Sequence, residues 1–215
     1  LTESLAHLHL GDFESAQACL ESLADLAEAD PASRASLLRA EYLGDVALER
    51  GEVQRAHDLY TALWPRALAL VPHGDIVAEL RRRLAECRLA FGDAGAAHAG
   101  AREAIAHCLA IGDRYEEACT YRTLALAAAA LGHADEARRH FDHAFALFDD
   151  IETPYEWGKL WQAHGDWLGG PHAGPHHDPV AAQASYRAAM DHFEHIGARH
   201  RFEVARTRLV ATAER

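Results

Sequence analysis

The side chains with the most capacity for chemistry in this chain are crowded into one short stretch, GGPHAGPHHDP at residues 169–179. His172, His176, His177 and Asp178 offer imidazole nitrogens and a carboxylate, a donor set that suits Zn2+ or Ni2+. Against a metal, the adjacent His176 and His177 cannot converge on one ion without strain, and the stretch lacks the i, i+4 pairing by which a helix presents two ligands. A chain with 16 histidines also clusters some by composition alone. The stretch is therefore expected to be a solvated loop, and neither metal nor cofactor is expected. Collectively the imidazoles could turn positive near pH 6 and offset acidic charge, but ordinary surface histidines explain them as well.

Other chemistries fare no better. Lys159 is the only lysine, and no G-x-x-x-x-G-K-[ST] phosphate loop, H-E-x-x-H zinc motif or G-x-S-x-G nucleophile elbow occurs. Carboxylates are plentiful but spread at helical spacing, so neighbours such as Glu116 and Glu117 point in different directions. Cys19, Cys87, Cys108 and Cys119 have no C-x-x-C spacing and read as small apolar helix positions in a reducing cytoplasm; Cys108 and Cys119, flanking one turn, are the only pair whose spacing suggests a bridge. The expectation is a protein that is not an enzyme.

Composition narrows the partners. The formal net charge is −12 and no basic stripe is present, which argues against nucleic-acid contact by this segment. No apolar run approaches the ~18 residues of a membrane span. The chain opens without Met, and only ten residues precede Gly11, so it reads as part of a longer protein.

The elements that would position any site are organised by a repeat. Gly11, Gly51, Gly92 and Gly132 are 40, 41 and 40 residues apart, and each is followed five residues later by Ala16, Ala56, Ala97 or Ala137. A fifth copy aligns Ala182, Tyr186, Ala189, Phe193 and Ile196 with Ala137, Phe141, Ala144, Phe148 and Ile151, with five surplus residues in the 169–179 stretch. Each repeat reads as two helices. The first ends at the glycine, and the second carries a face alternating Ala with a large aromatic, which predicts close helix packing. Asp113, Asp135 and Asp178 are candidate helix starts. No stretch alternates with period two between hairpin turns, so no sheet is expected.

This pattern resembles the tetratricopeptide repeat, or TPR. The fourth copy offers Tyr121, Leu124, Ala125, Ala128, Gly132, Ala137, Phe141 and Ala144; the fifth Trp161, Gly165, Leu168, Ala182, Tyr186 and Ala189. The second offers Leu43, Gly44, Ala47, Gly51, Ala56, Tyr60 and Leu63, and the third Leu84, Ala85, Gly92, Ala97, Ala101 and Ala104. The period near 40 is longer than the usual ~34 and resembles the variety in bacterial transcription regulators of the MalT and LuxR type and in kinesin light chains. The resemblance implies one all-α, right-handed superhelical solenoid with repeats at about 1–30, 34–71, 75–111, 113–151 and 154–196 and a terminal helix at 198–215. It further implies recognition of a protein, a peptide or a small acidic effector, as the sensing or partner-binding region of a bacterial regulator; the alternative is a free-standing assembly scaffold or co-chaperone adaptor. Apolar faces on terminal repeats would allow pairing with a second copy.

In TPR proteins the first helix of each repeat lines the binding face. Carrying that over places Glu41, Asp45, Glu79, Arg82, Glu86, Arg122, Lys159, Gln162 and Asp166 there, with Leu48, Leu89, Leu126 and Ala129 between them. Arg82, Arg122 and Lys159 would form a ladder for carboxylates. The same charges could instead solvate helix faces, with Glu79 pairing with Arg82 or Arg83 along one helix.

Overall fold

The computed structural model describes residues 1–214, and all regular structure among them is helical. The terminal Arg215 of the expected last helix lies outside the described residues. The chain divides into two compact units, Leu1–Asp113 and Arg114–Arg215.

The first unit holds α1 (Thr2–Leu10), α2 (Phe13–Glu21), a short α3 (Ala24–Ala29), α4 (Arg34–Glu49), α5 (Val53–Leu70), α6 (Asp75–Ala90) and α7 (Ala94–Ile111). α1 packs on α2, α4 on α5 and α6 on α7, and α4 also touches α6. The second unit holds α8 (Arg114–Ala130), α9 (Ala134–Phe148), α10 (Pro154–Leu168), a 3₁₀ segment (Pro171–His176), α11 (Pro179–His195) and α12 (Arg199–Ala213). Here α8 pairs with α9 and α10 with α11, while α12 packs on α11.

The repeat glycines work through backbone conformation. Gly11, Gly51, Gly92 and Gly132 follow the last turns of α1, α4, α6 and α8 with φ of 81°, 77°, 83° and 81°, a left-handed conformation that costs other residues about 1–2 kcal/mol. At the end of α8 the N–H of Gly132 donates to Ala129 O and that of His133 to Ala128 O, each at 2.9 Å, satisfying carbonyls the helix leaves open. The next helix starts two residues later, so the glycine reverses the chain within one tight turn. Asp178 caps α11 by accepting from the backbone N–H of Val180 and Ala181, both at 3.0 Å. Asp135 does not start α9: the N-cap is His133, and Asp135 sits in the first turn.

A second set of glycines acts through space. A Cβ on Gly44 of α4 would lie 2.3 Å from Cε1 of Tyr60, and a Cβ on Gly165 of α10 would lie 2.8 Å from Cε1 of Tyr186. The aromatic rings of second helices thus lie directly on the backbone of first helices. Where the ring is Phe141, the corresponding first-helix residue is Ala125, and both are fully buried. Ala137, Phe141, Ala144 and Phe148 form the inner stripe of α9, with Phe141 stacked on Trp167 at 5.2 Å between centroids.

Residues 169–179 are largely exposed, as expected, but part of the stretch is wound into the 3₁₀ segment. The 3₁₀ segment rests on α9 and α10, and Ala173 is fully buried. The backbone N–H of Asp178 donates to Leu168 O at 3.0 Å, closing the excursion onto the end of α10.

Candidate partner-recognition faces

On the α4/α6 face of the first unit the structure gathers Glu41, Asp45 and Glu79 around Arg83. The Nε and Nη2 groups of Arg83 donate to the two oxygens of Asp45 at 2.6 and 2.9 Å. Its Nη1 donates to Glu79 Oε2 at 3.1 Å and lies 3.1 Å from Glu41 Oε1. Tyr60, reaching from α5, donates its hydroxyl to Asp45 Oδ1 at 2.6 Å. Arg83 is therefore a buried clamp holding three carboxylates from two helices, two of them partly exposed at the rim. Although burial opposes its charge, Asp45, Glu41 and Glu79 together raise its pKa well above the ordinary value.

Glu41 has no exposed surface, and neither of its oxygens receives a well-aligned hydrogen bond. Burial pushes its carboxyl well above the usual carboxylate range; Arg83 pulls the other way and is outweighed with help from Glu79 and Asp45. Burial thus favours the protonated form of Glu41 in the folded chain.

The arginine run at 81–83 divides among three neighbours, as the 100° step of a helix requires. Arg83 takes the α4 carboxylates. Arg82 is only 6% exposed and donates to Glu86 Oε1 at 2.9 Å one turn along. Arg81 lies over the ring of Trp64 on α5, 5.0 Å from the centroid, and donates to Glu103 on α7 at 2.6 Å.

The second unit has an analogous polar seam between α8 and α10, which pack together. Arg122, 4% exposed, donates through Nη1 to Glu156 Oε2, and the Cys119 thiol donates to the same oxygen at 3.6 Å. Lys159 Nζ lies 3.4 Å from Glu156 Oε1 and 5.5 Å from the centroid of the Tyr155 ring. Further along α10, Gln162 is buried, and Asp166 accepts the Tyr186 hydroxyl at 3.0 Å, with Arg208 Nε 3.5 Å away. Burial pushes the Asp166 carboxyl above its usual range. Among the intervening apolar positions, Ala129 is buried and Leu48, Leu89 and Leu126 are half-buried.

Sequence reasoning offered the pairing of Glu79 with Arg83 along α6, which the structure has at 3.1 Å, but did not see Arg83 reach the α4 carboxylates, and it missed Glu156. Both carried a signal: Arg83 is four residues after Glu79, and Glu156 is three before the only lysine. It also missed a correlated pair, since the repeats with Tyr60 and Tyr186 carry Gly-Asp at 44–45 and 165–166, whereas the repeat with Phe141 carries Ala-Leu at 125–126.

The histidine stretch is used piecemeal. His176 Nε2 is 2.7 Å from Asp135 Oδ1, His177 Nδ1 is 3.3 Å from Gly170 O, Asp178 caps its helix and His172 is exposed. Elsewhere Glu3 and His7 on α1 and Cys19 on α2 each bring one ligand-type atom within 4.8 Å of the others. All four cysteines are thiols, so no bridge joins Cys108 to Cys119.

Comparison with solved structures gives a consistent result. A kinesin-light-chain-like protein of Podosopora anserina built of nearly identical TPR-like repeats is 15% identical, with a TM-score of 0.54, covering 98% of this chain and 91% of that one. Its Q17M form is 16% identical at a TM-score of 0.55, covering 99% and 93%. BtubC (BKLC) from P. vanneervenii is 17% identical at a TM-score of 0.58, covering 94% and 88%. The chain has a TPR-like repeat fold. No model of a known protein family matches the sequence, and no curated protein matches it. Among the described residues no helix is long and apolar enough to cross a membrane.

Proposed function

We propose that this chain is a non-catalytic recognition module that binds a protein or peptide partner through the first-helix faces of its repeats. The observation that carries this reading is the Arg83 clamp. A buried cation fixes Asp45 and Glu79 at the edge of the α4/α6 face, and Arg82 fixes Glu86 beside them. Fixed, half-buried carboxylates lose little side-chain entropy when a basic partner group arrives, which is how preorganisation becomes affinity. In this reading Glu41, Arg82 and Arg83 position, while Asp45, Glu79 and Glu86 contact Lys or Arg of the partner. In the second unit Arg122 positions Glu156, and Lys159, Gln162 and Asp166 supply the polar contacts.

The period near 40 residues supports a finer assignment, the sensing or partner-binding region of a bacterial cytoplasmic signalling or transcription regulator; that step is an analogy of architecture. Panning the full chain against a displayed random peptide library tests the recognition reading. The expected result is convergence on peptides rich in Lys or Arg whose binding is lost in a Glu79→Lys, Glu86→Lys double variant of unchanged melting temperature. Absence of convergent peptides, or equal binding to the variant, would refute it.

A further inference from the structure

A cleft of ≈390 Å3 opens on another side of the first unit, lined by His57, Thr61 and Trp64 of α5, Arg81, Leu84 and Arg88 of α6 and Glu103 of α7. Its volume lies within the range of small-ligand sites. The α5 residues are four and three apart and the α6 residues three and four apart, so each helix contributes one continuous face. None of these residues belongs to the α4/α6 recognition face, and a role for the cleft stands independently of that reading.

The polar chemistry of the cleft is unbalanced. Arg81 is satisfied on one side by Glu103 and lies over Trp64, yet its Nε is buried with no hydrogen-bond acceptor among the described residues. Nδ1 of His57 is buried and makes no hydrogen bond among the described residues, with the exposed Asp58 Oδ1 3.7 Å away, and its ring meets the exposed Phe91 edge-on at 5.5 Å. Arg88 makes no hydrogen bond or ion pair among the described residues. Its Nη1 instead lies against α7 where Gly100 leaves room: a Cβ there would be 3.2 Å away. The cleft thus holds two guanidinium groups for one carboxylate, beside an aromatic wall. Leaving a buried donor unmatched is costly, and a planar guanidinium fork matches a carboxylate with two parallel bonds.

We infer that the Trp64/Arg81/Arg88 cleft is a carboxylate-binding site, whose occupant is an acidic peptide segment placing one carboxylate against Arg88 and its aliphatic stem against Trp64. The net charge of −12 will not steer an acidic ligand from a distance, so recognition is short-range and modest in affinity.

Trp64 is the only tryptophan of the first unit, so its indole N–H resonance reports on the cleft while those of Trp157, Trp161 and Trp167 serve as internal controls. The full chain is titrated with hexaglutamate capped at both ends. A parallel titration uses a Gly-Ser peptide with a free C-terminal carboxylate, and capped hexalysine is the control. The expected result is a saturable shift of the Trp64 signal alone, weakened about tenfold or more by Arg88→Ala and partly retained by Arg88→Lys. Arg88-dependent shifts with only the free-terminus peptide would support the same chemistry and identify a chain terminus as the source. No Trp64 shift with either carboxylate peptide overturns the assignment, as does a shift that is unchanged in Arg88→Ala or reproduced by hexalysine. Loss of basic-peptide binding in the Glu79→Lys, Glu86→Lys variant bears on the other face alone.

Discussion

Replacing His164 with Gln should remove a specific pH dependence of stability from the second unit. His164 lies among the rings of Phe141, Phe145, Trp161 and Trp167, and its Nδ1 is 3.0 Å from Ser185 Oγ. The Ser185 hydroxyl also lies 3.0 Å from Ala181 O, and when it donates there it accepts from the Nδ1–H tautomer of His164. A second proton would place a cation among aromatic rings, and burial holds the pKa down at about 4, against a small opposing pull from Asp142. A folded pKa below the unfolded value of 6.5 means that the unfolded chain binds the proton more readily. The contribution is thus fully present above about pH 6.5, declines as pH falls, and is exhausted below about 4. The whole window is worth about 3 kcal/mol, of which about 2 kcal/mol is lost between pH ~7.5 and pH ~5. Urea unfolding followed by tryptophan emission reads the relevant unit, because three of the four tryptophans lie in it. The wild-type minus variant difference should shrink by about 2 kcal/mol on going to pH ~5. A difference that stays flat, or grows on acidification, refutes the reasoning.

Glu41→Gln tests the raised Glu41 carboxyl with the opposite sign. A carboxyl whose folded pKa is raised loses stability as pH climbs from its unfolded value towards the folded one, so the variant should gain on wild type in melting temperature at pH ~8 but not at pH ~4. Gly44→Ala forces a Cβ to 2.3 Å from a fully buried ring, and overpacking of that kind costs about 1–3 kcal/mol in denaturant unfolding despite the better helix propensity of Ala. Arg122→Met takes the guanidinium away from the buried Glu156 and should cost about 3–5 kcal/mol near neutral pH, with part regained in the Arg122→Met, Glu156→Gln double variant.

The architecture was legible because two of its requirements act on single residue types. A left-handed chain reversal needs glycine, and rings pressed onto a neighbouring backbone need Ala or Gly opposite, so both left a periodic trace in the sequence. The charges were less legible. A helix face read from TPR register turned Arg82 outward as a ligand for carboxylates, yet a rotation of one residue decides whether a guanidinium meets solvent, its own helix or the next one. Arg81, Arg82 and Arg83 meet three different neighbours. Long side chains within reach of several carboxylates carry no periodicity that separates these outcomes. Residues 169–179 were half legible: composition foretold their exposure, but nothing in it foretold that one small residue, Ala173, anchors the segment against the core.

The most direct test of the recognition reading is native mass spectrometry of the full chain after incubation with host lysate, comparing wild type with the Glu79→Lys, Glu86→Lys variant at matched thermal stability. The expected result is a stoichiometric protein or peptide retained by wild type and lost from the variant. Retention of the same species by both proteins, or of nothing by wild type, would contradict the α4/α6 face as the partner-binding surface.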